Sequence, residues 1–218
     1  MHRPAIIAVG GFASDVGKTT LMCHLLRAFP GWEAIKTTRG HYRSCGRDPH
    51  ACCVSHLLSD EPVIRSGRDQ TYAPGKDTGR YWEVGATNVH WMIATEEQVE
   101  KGINQALERV RSKGVLIEGN SFTQFVDVDY LVMVLRRNDL RIKRSARRAL
   151  SKASALYLWD EQQVDAHESF IAACRNPELE SLMRNLPGYT QESLPQLVAD
   201  VCKVIFPCGG LTANARRD

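Results

Sequence analysis

The 218-residue chain has no run of about 18 apolar residues, which excludes a membrane-spanning helix. It also lacks a charge bias. Lys and Arg total 28 against 25 Asp and Glu, a net charge of +3, so neither nucleic acid nor a membrane surface is an expected partner. No internal repeat, low-complexity tract or linker interrupts it. With 43% hydrophobic and 24% charged residues, the composition excludes disordered, collagen-like and coiled-coil chains. The dinucleotide fingerprint G-x-G-x-x-G is missing, and so is the elbow motif of Ser nucleophiles. Met1-His2-Arg3-Pro4 passes straight into AIIAVGG, too short an apolar stretch for a secretory signal. Cysteine is not scarce, but its count of seven is odd, which speaks against a closed disulfide framework. A reducing cytoplasm is the expected compartment.

What is present reads as alternating strands and helices. Strands are predicted at 4–9, 32–38, 88–95, 115–119, 130–136 and 155–159, and helices at 18–29, 77–86, 96–112 and 144–153. A short helix around 50–59 and a short strand at 62–65 are further expectations, and the tail from 163 to 206 holds two or three helical patterns. Such alternation predicts a three-layer α/β/α domain with a mostly parallel sheet. One domain spanning 1–218 fits the length, with an insertion at about 39–76 rich in Cys, His and Arg.

The most informative segment is Gly10-Gly11-Phe12-Ala13-Ser14-Asp15-Val16-Gly17-Lys18-Thr19-Thr20, set between a predicted strand and a predicted helix. That is the context of a phosphate-binding loop. Glycines let the backbone curl so that N–H groups point at phosphate oxygens, and the helix start adds its positive dipole end. On this reading Gly11, Ala13, Ser14, Asp15, Val16, Gly17, Lys18, Thr19 and Thr20 hold ATP or GTP. Lys18 reaches the β- and γ-phosphates, and the Thr19 hydroxyl completes a Mg²⁺ shell. Five residues separate Gly11 from Gly17, one more than in G-x-x-x-x-G-K-[ST]. A metal-orienting carboxylate is also needed, and Glu118 stands at the C-terminal end of the strand VLIEG, where ligands collect in open α/β sheets. Asp15 and Asp77 are further acidic candidates.

Several segments in order resemble the MobB family, the GTP-binding adaptors of molybdopterin-guanine dinucleotide biosynthesis. They are AIIAVGGFASDVGKTTL, AIKTTRGH (34–41), PGKDTGRYWEVGA (74–86) and VLIEGNS (115–121). The longer loop DVGKT is similar to that of dethiobiotin synthetases. The resemblance implies a P-loop fold, GTP or ATP with Mg²⁺, slow hydrolysis and a homodimer. By matching position it implies phosphate and metal roles for Lys18, Thr19, Asp77 and Glu118, with Lys76 and Thr78 at the same mouth. A guanine-reading N-K-x-D is missing, and the corresponding strand ends in Trp159-Asp160. A second resemblance links TRGHYRS and SDEPVI (59–64) to segments of the lipid A 4′-kinases, also P-loop proteins, and implies phosphoryl transfer to a small acceptor.

The insertion carries His41, Cys45, His50, Cys52, Cys53 and His56. Thiolates and imidazoles so close together suit Zn²⁺ or another transition metal, with Cys45, His50, Cys52, Cys53 and His56 as candidate ligands. The same cysteines also read as small buried hydrophobes. Arg43, Arg47, Arg65 and Arg68 read either as an anion pocket or as a solvated surface. In the basic run 136–148, Arg136 and Arg137 follow a strand end and are the best placed to meet nucleotide phosphates. Three readings follow: a Mg²⁺-dependent NTPase, a kinase or ligase acting on a small anionic acceptor held by residues 39–80, or a nucleotide-switched metal adaptor serving a protein partner.

Overall fold

The computed structural model describes residues 3–40, 55–136, 141–159, 171 and 176–207. The chain begins with β1 (Ala5–Gly11), α1 (Lys18–Ala28) and β2 (Glu33–Arg39). After a one-turn 3₁₀ helix at Ser55–Leu57 come β3 (Val63–Ser66), α2 (Arg68–Thr71), α3 (Asp77–Glu83) and β4 (Val89–Ala94). Next are α4 (Val99–Leu107), β5 (Gly114–Glu118), a 3₁₀ turn at Ser121–Gln124 and β6 (Tyr130–Leu135). The chain closes with α5 (Arg144–Leu150), β7 (Ala155–Leu158), α6 (Pro177–Arg184), β8 (Gly188–Tyr189) and α7 (Leu194–Ile205).

The eight strands form one sheet in the order β3-β4-β2-β5-β1-β6-β7-β8. Every pairing is parallel except β3 with β4. The central strands are buried on both faces, which is why they read as continuous apolar runs rather than as alternations. In β1, Ile6 and Ala8 join a core with Val99 and Ile103 of α4, Ala146 and Ala149 of α5, and Met183 of α6. Ile7 and Val9 point the other way, to Leu21 and Leu25 of α1, Tyr81 of α3, and Leu197 and Val201 of α7. Two cores on opposite faces make the fold three layers, α/β/α.

The topology opens a crevice at one end of the sheet. From β1 the chain crosses to β2, beyond β5, whereas from β5 it crosses to β6 on the other side of β1. Connections that part in this way leave a gap above the C-terminal strand ends. The register sets Glu118 beside Val9 on one side and Lys36 on the other.

Three features differ from the predicted elements. The short strand expected at 62–65 is present as β3, antiparallel at the sheet edge, but it is followed by the short helix α2, whose four residues carry too little periodicity to be read. The helix predicted over 96–112 ends at Leu107, although Val110 still packs in the core. The Glu33 carboxylate takes the N–H groups of Arg111 and Ser112, both at 2.7 Å, away from any helical ladder. The same helix begins at Val99 and not at 96, with Gln98 at its N-cap position and the Gln98 side chain accepting from the Thr95 N–H at 3.0 Å.

Candidate functional site

One side chain fixes where the glycine-rich loop leaves the sheet. Asn120, just beyond β5, accepts from the Gly11 N–H at 2.8 Å and donates to the Gly11 carbonyl at 2.8 Å. A Cβ on Gly11 would stand 2.8 Å from the Lys18 side chain. The loop then turns through Asp15 at φ 57° and Gly17 at φ 95°, the left-handed region that Asp tolerates and glycine favours. At Gly17 a Cβ would meet the Trp159 ring at 2.4 Å. Trp159, at the end of β7, therefore packs flush on the loop backbone. Val16 is fully buried in the α1-side core and anchors the loop from below.

Above this loop lies a cleft of about 640 Å³. Gly11, Ala13, Ser14, Asp15, Gly17, Lys18, Thr19 and Thr20 all line it, together with Lys36, Asp77, Glu118 and Lys143. Its centre is a polar cluster. The Thr19 hydroxyl donates to Glu118 Oε2 at 2.9 Å. Glu118 Oε1 pairs with Lys36 Nζ, which also meets Asp77 Oδ2 at 2.6 Å. The Tyr81 hydroxyl, buried under α3, donates to Glu118 Oε2. Thr37 holds the strand end by donating to the Glu118 carbonyl at 2.7 Å. Arg80 ties α3 to α1 through the Thr20 hydroxyl at 3.1 Å.

The electrostatics follow from crowding charges at a partly dry strand end. Burial pushes the Lys18 ammonium below its usual pKa; Glu118 opposes this while Lys36 and Lys143 add to it. Burial alone would also lower Lys36, but Glu118 and Asp77 outweigh it and hold that ammonium above its usual value. Burial would raise Asp77, but Lys36 beside it and the Thr19 hydroxyl hold the carboxyl below the ordinary range. Burial first, and then Glu118, push the Tyr81 phenol well up, so it stays a donor. The Thr19 hydroxyl and the Glu118 carboxylate are hard oxygen donors in contact, which suits Mg²⁺.

A second cleft of about 710 Å³ opens beside the first and shares Lys36 and Asp77 with it. Its walls include Arg65, Tyr72, Lys76 and Trp91. Lys76 thus faces this neighbouring cleft rather than the loop. Arg136 is exposed at the end of β6 and lines neither. Arg137 lies outside the described residues, and among the described basic residues of that run Lys143 enters the first cleft. Its backbone N–H donates to the Phe12 carbonyl at 2.9 Å and its ammonium to the Ser14 hydroxyl at 2.6 Å. Cys45, His50, Cys52 and Cys53 lie outside the described residues, and His56 is exposed. Among the described residues no group of three or more His, Cys, Asp or Glu could hold a metal ion.

Sequence reasoning does not single out Lys36, Asn120, Lys143 or Trp159 as site residues, and it reads Tyr81 as a core or dimer contact. Lys36 alone leaves a signal, a charged residue directly after the apolar pair Ala34-Ile35 within a strand.

No protein-family model matches the chain, and no curated protein matches it. Among solved structures it is similar to a crystal structure of an "apo" form of LpxK from Aquifex aeolicus in complex with ATP. The identity is 18% and the TM-score 0.46, over 72% of this chain and 48% of that one. The chain therefore spans about half the length of that protein.

Proposed function

We propose that this chain is a Mg²⁺-dependent P-loop enzyme that binds ATP or GTP and acts on its γ-phosphate. The observation that carries this reading is the Thr19–Glu118 hydrogen bond of 2.9 Å, formed between the first turn of α1 and the end of β5 at the mouth of a loop that also presents Lys18. A loop hydroxyl and a strand-end carboxylate in contact are the pair that holds Mg²⁺ in P-loop enzymes. Lys18 and the loop N–H groups would hold the phosphates, and Lys143 would cover them from α5. Bound there, Mg²⁺ would neutralise charge on the β- and γ-oxygens. Asp77, ionised and turned toward the cleft, would orient the attacking oxygen.

The ordered segments shared with MobB support a relation to that family and to dethiobiotin synthetases, and with it a homodimer. In its support, PGKDTGR here brings Asp77 and Arg80 against α1. The second cleft at Asp77 favours transfer to an acceptor over simple hydrolysis.

The test is a titration of ATP and GTP with and without Mg²⁺. Mg²⁺ is expected to tighten nucleotide binding by about tenfold or more, and Glu118→Gln to remove most of that gain. Binding that ignores Mg²⁺, or a gain fully kept by Glu118→Gln, would overturn the assignment.

A further inference from the structure

We infer that the second cleft is the acceptor site, and that it takes a small alcohol carrying a carboxylate or phosphate group. This rests on the proposed nucleotide site and adds the chemical class of the second substrate.

The two clefts are contiguous, since Lys36 and Asp77 line both. A molecule in the second cleft therefore also meets Asp77. At about 710 Å³ the cleft is of a size that holds small ligands. Its charge is uneven. Lys36 is already paired with Asp77 and Glu118. Arg65 and Lys76 have no carboxylate partner among the described residues. Two uncompensated cations in one recess favour an anion, and a guanidinium suits the planar or tetrahedral oxygens of carboxylate and phosphate.

The wall is built to keep Arg65 in place. Its guanidinium lies over the Trp91 ring, 5.7 Å from the centroid. That ring is fixed in turn, because its N–H donates to the Thr38 hydroxyl at 2.9 Å. On the far wall Arg68 stacks on Tyr72 at 4.3 Å. Stacked arginine loses less freedom on binding a ligand than a loose side chain.

The anion would sit at Arg65 and Lys76, and the hydroxyl would reach Asp77. The hydroxyl oxygen attacks the γ-phosphorus and forms the new O–P bond. The bond from that phosphorus to the β,γ-bridging oxygen breaks, and its electron pair leaves with the nucleoside diphosphate. The hydroxyl proton passes to the Asp77 carboxylate and then to solvent. A weakly basic carboxylate suffices, because a loose phosphoryl transition state needs little deprotonation of the nucleophile.

The experiment first saturates the full chain with Mg²⁺ and a non-hydrolysable nucleoside triphosphate, so that the loop is filled. Inorganic phosphate, glycerate, glycerol 3-phosphate and glycerol are then titrated by thermal shift. The three anions are expected to bind and glycerol is not. Arg65→Ala should weaken the anions about tenfold, the nucleotide shift in the same sample reporting that the variant is folded. With ATP or GTP in place of the analogue, an anionic alcohol should raise nucleoside diphosphate release above the water background. Glycerate and glycerol 3-phosphate separate the carboxylate class from the phosphate class. If no anion binds to the nucleotide-filled protein, if Arg65→Ala binds them as tightly, or if glycerol does as well as its anionic relatives, the acceptor assignment is overturned. Failure of the nucleotide itself to bind, with Arg65-dependent anion binding intact, would instead overturn the nucleotide assignment.

Discussion

Lys36 is the residue on which the two clefts meet, and it shows why this site was only half legible in the sequence. Lys18, Thr19 and Glu118 sit in local patterns that the chemistry itself dictates, a strand-loop-helix turn and a strand end. Lys36, Tyr81, Asn120 and Trp159 join the site only because strands far apart in the chain are paired neighbours in the sheet or helices fold over it. Tyr81 is the clearest case, an aromatic at a helix position that packs like core yet ends its hydroxyl on Glu118. Tyr81→Phe keeps the packing and removes that donor. The half-saturating Mg²⁺ concentration for nucleotide turnover is expected to rise by about tenfold, with a much smaller change in metal-free nucleotide affinity. If the two change together, Tyr81 acts through the fold and not through the carboxylate.

At the scale of elements, the central strands and α1 were legible because burial on both faces and a capped loop leave strong patterns. The exceptions have one cause each. The helix α2 is four residues long, too short to show a period. The end of α4 was set by a residue outside it, Glu33 at the start of β2. The same carboxylate meets His90 Nε2 of β4 at 2.8 Å, so it joins two strands and the turn into β5. Burial would raise its pKa, but the bonds from His90, Arg111 and Ser112 hold it below the ordinary carboxylate value. A carboxyl whose pKa is lower folded than unfolded contributes stability above its unfolded pKa and loses it as pH falls through the folded one. Thermal denaturation between about pH 7 and pH 3 should thus show a midpoint that drops below about pH 4.5. Glu33→Gln should be less stable at pH 7 and show a shallower drop in acid. An identical acid slope in the variant would remove Glu33 from that role.

At the scale of the whole molecule, the three-layer fold gathers one end of a parallel sheet into a single reactive edge. The loop after β1, the carboxylate ending β5, the lysine in β2 and the tryptophan after β7 all lie there because parallel strands end on the same side. This is also why the resemblances in the sequence could point to the glycine-rich loop and the proposed nucleotide end of the site, while the proposed acceptor end depended on how α2, α3 and β3 fold beside it. Among the described residues no helix is long and apolar enough to cross a membrane. The claim on which the rest depends is that Lys18 and its loop hold a nucleoside triphosphate. Thermal shift with Mg²⁺ and either ATP or GTP, on the wild type and on Lys18→Ala, tests it most directly. A nucleotide at a hundredfold excess over its Kd should raise the wild-type midpoint by about 5–10 °C for a chain of this size, and Lys18→Ala should lose that rise. A wild type that responds to neither nucleotide, or a Lys18→Ala variant that responds as fully as the wild type, would contradict it.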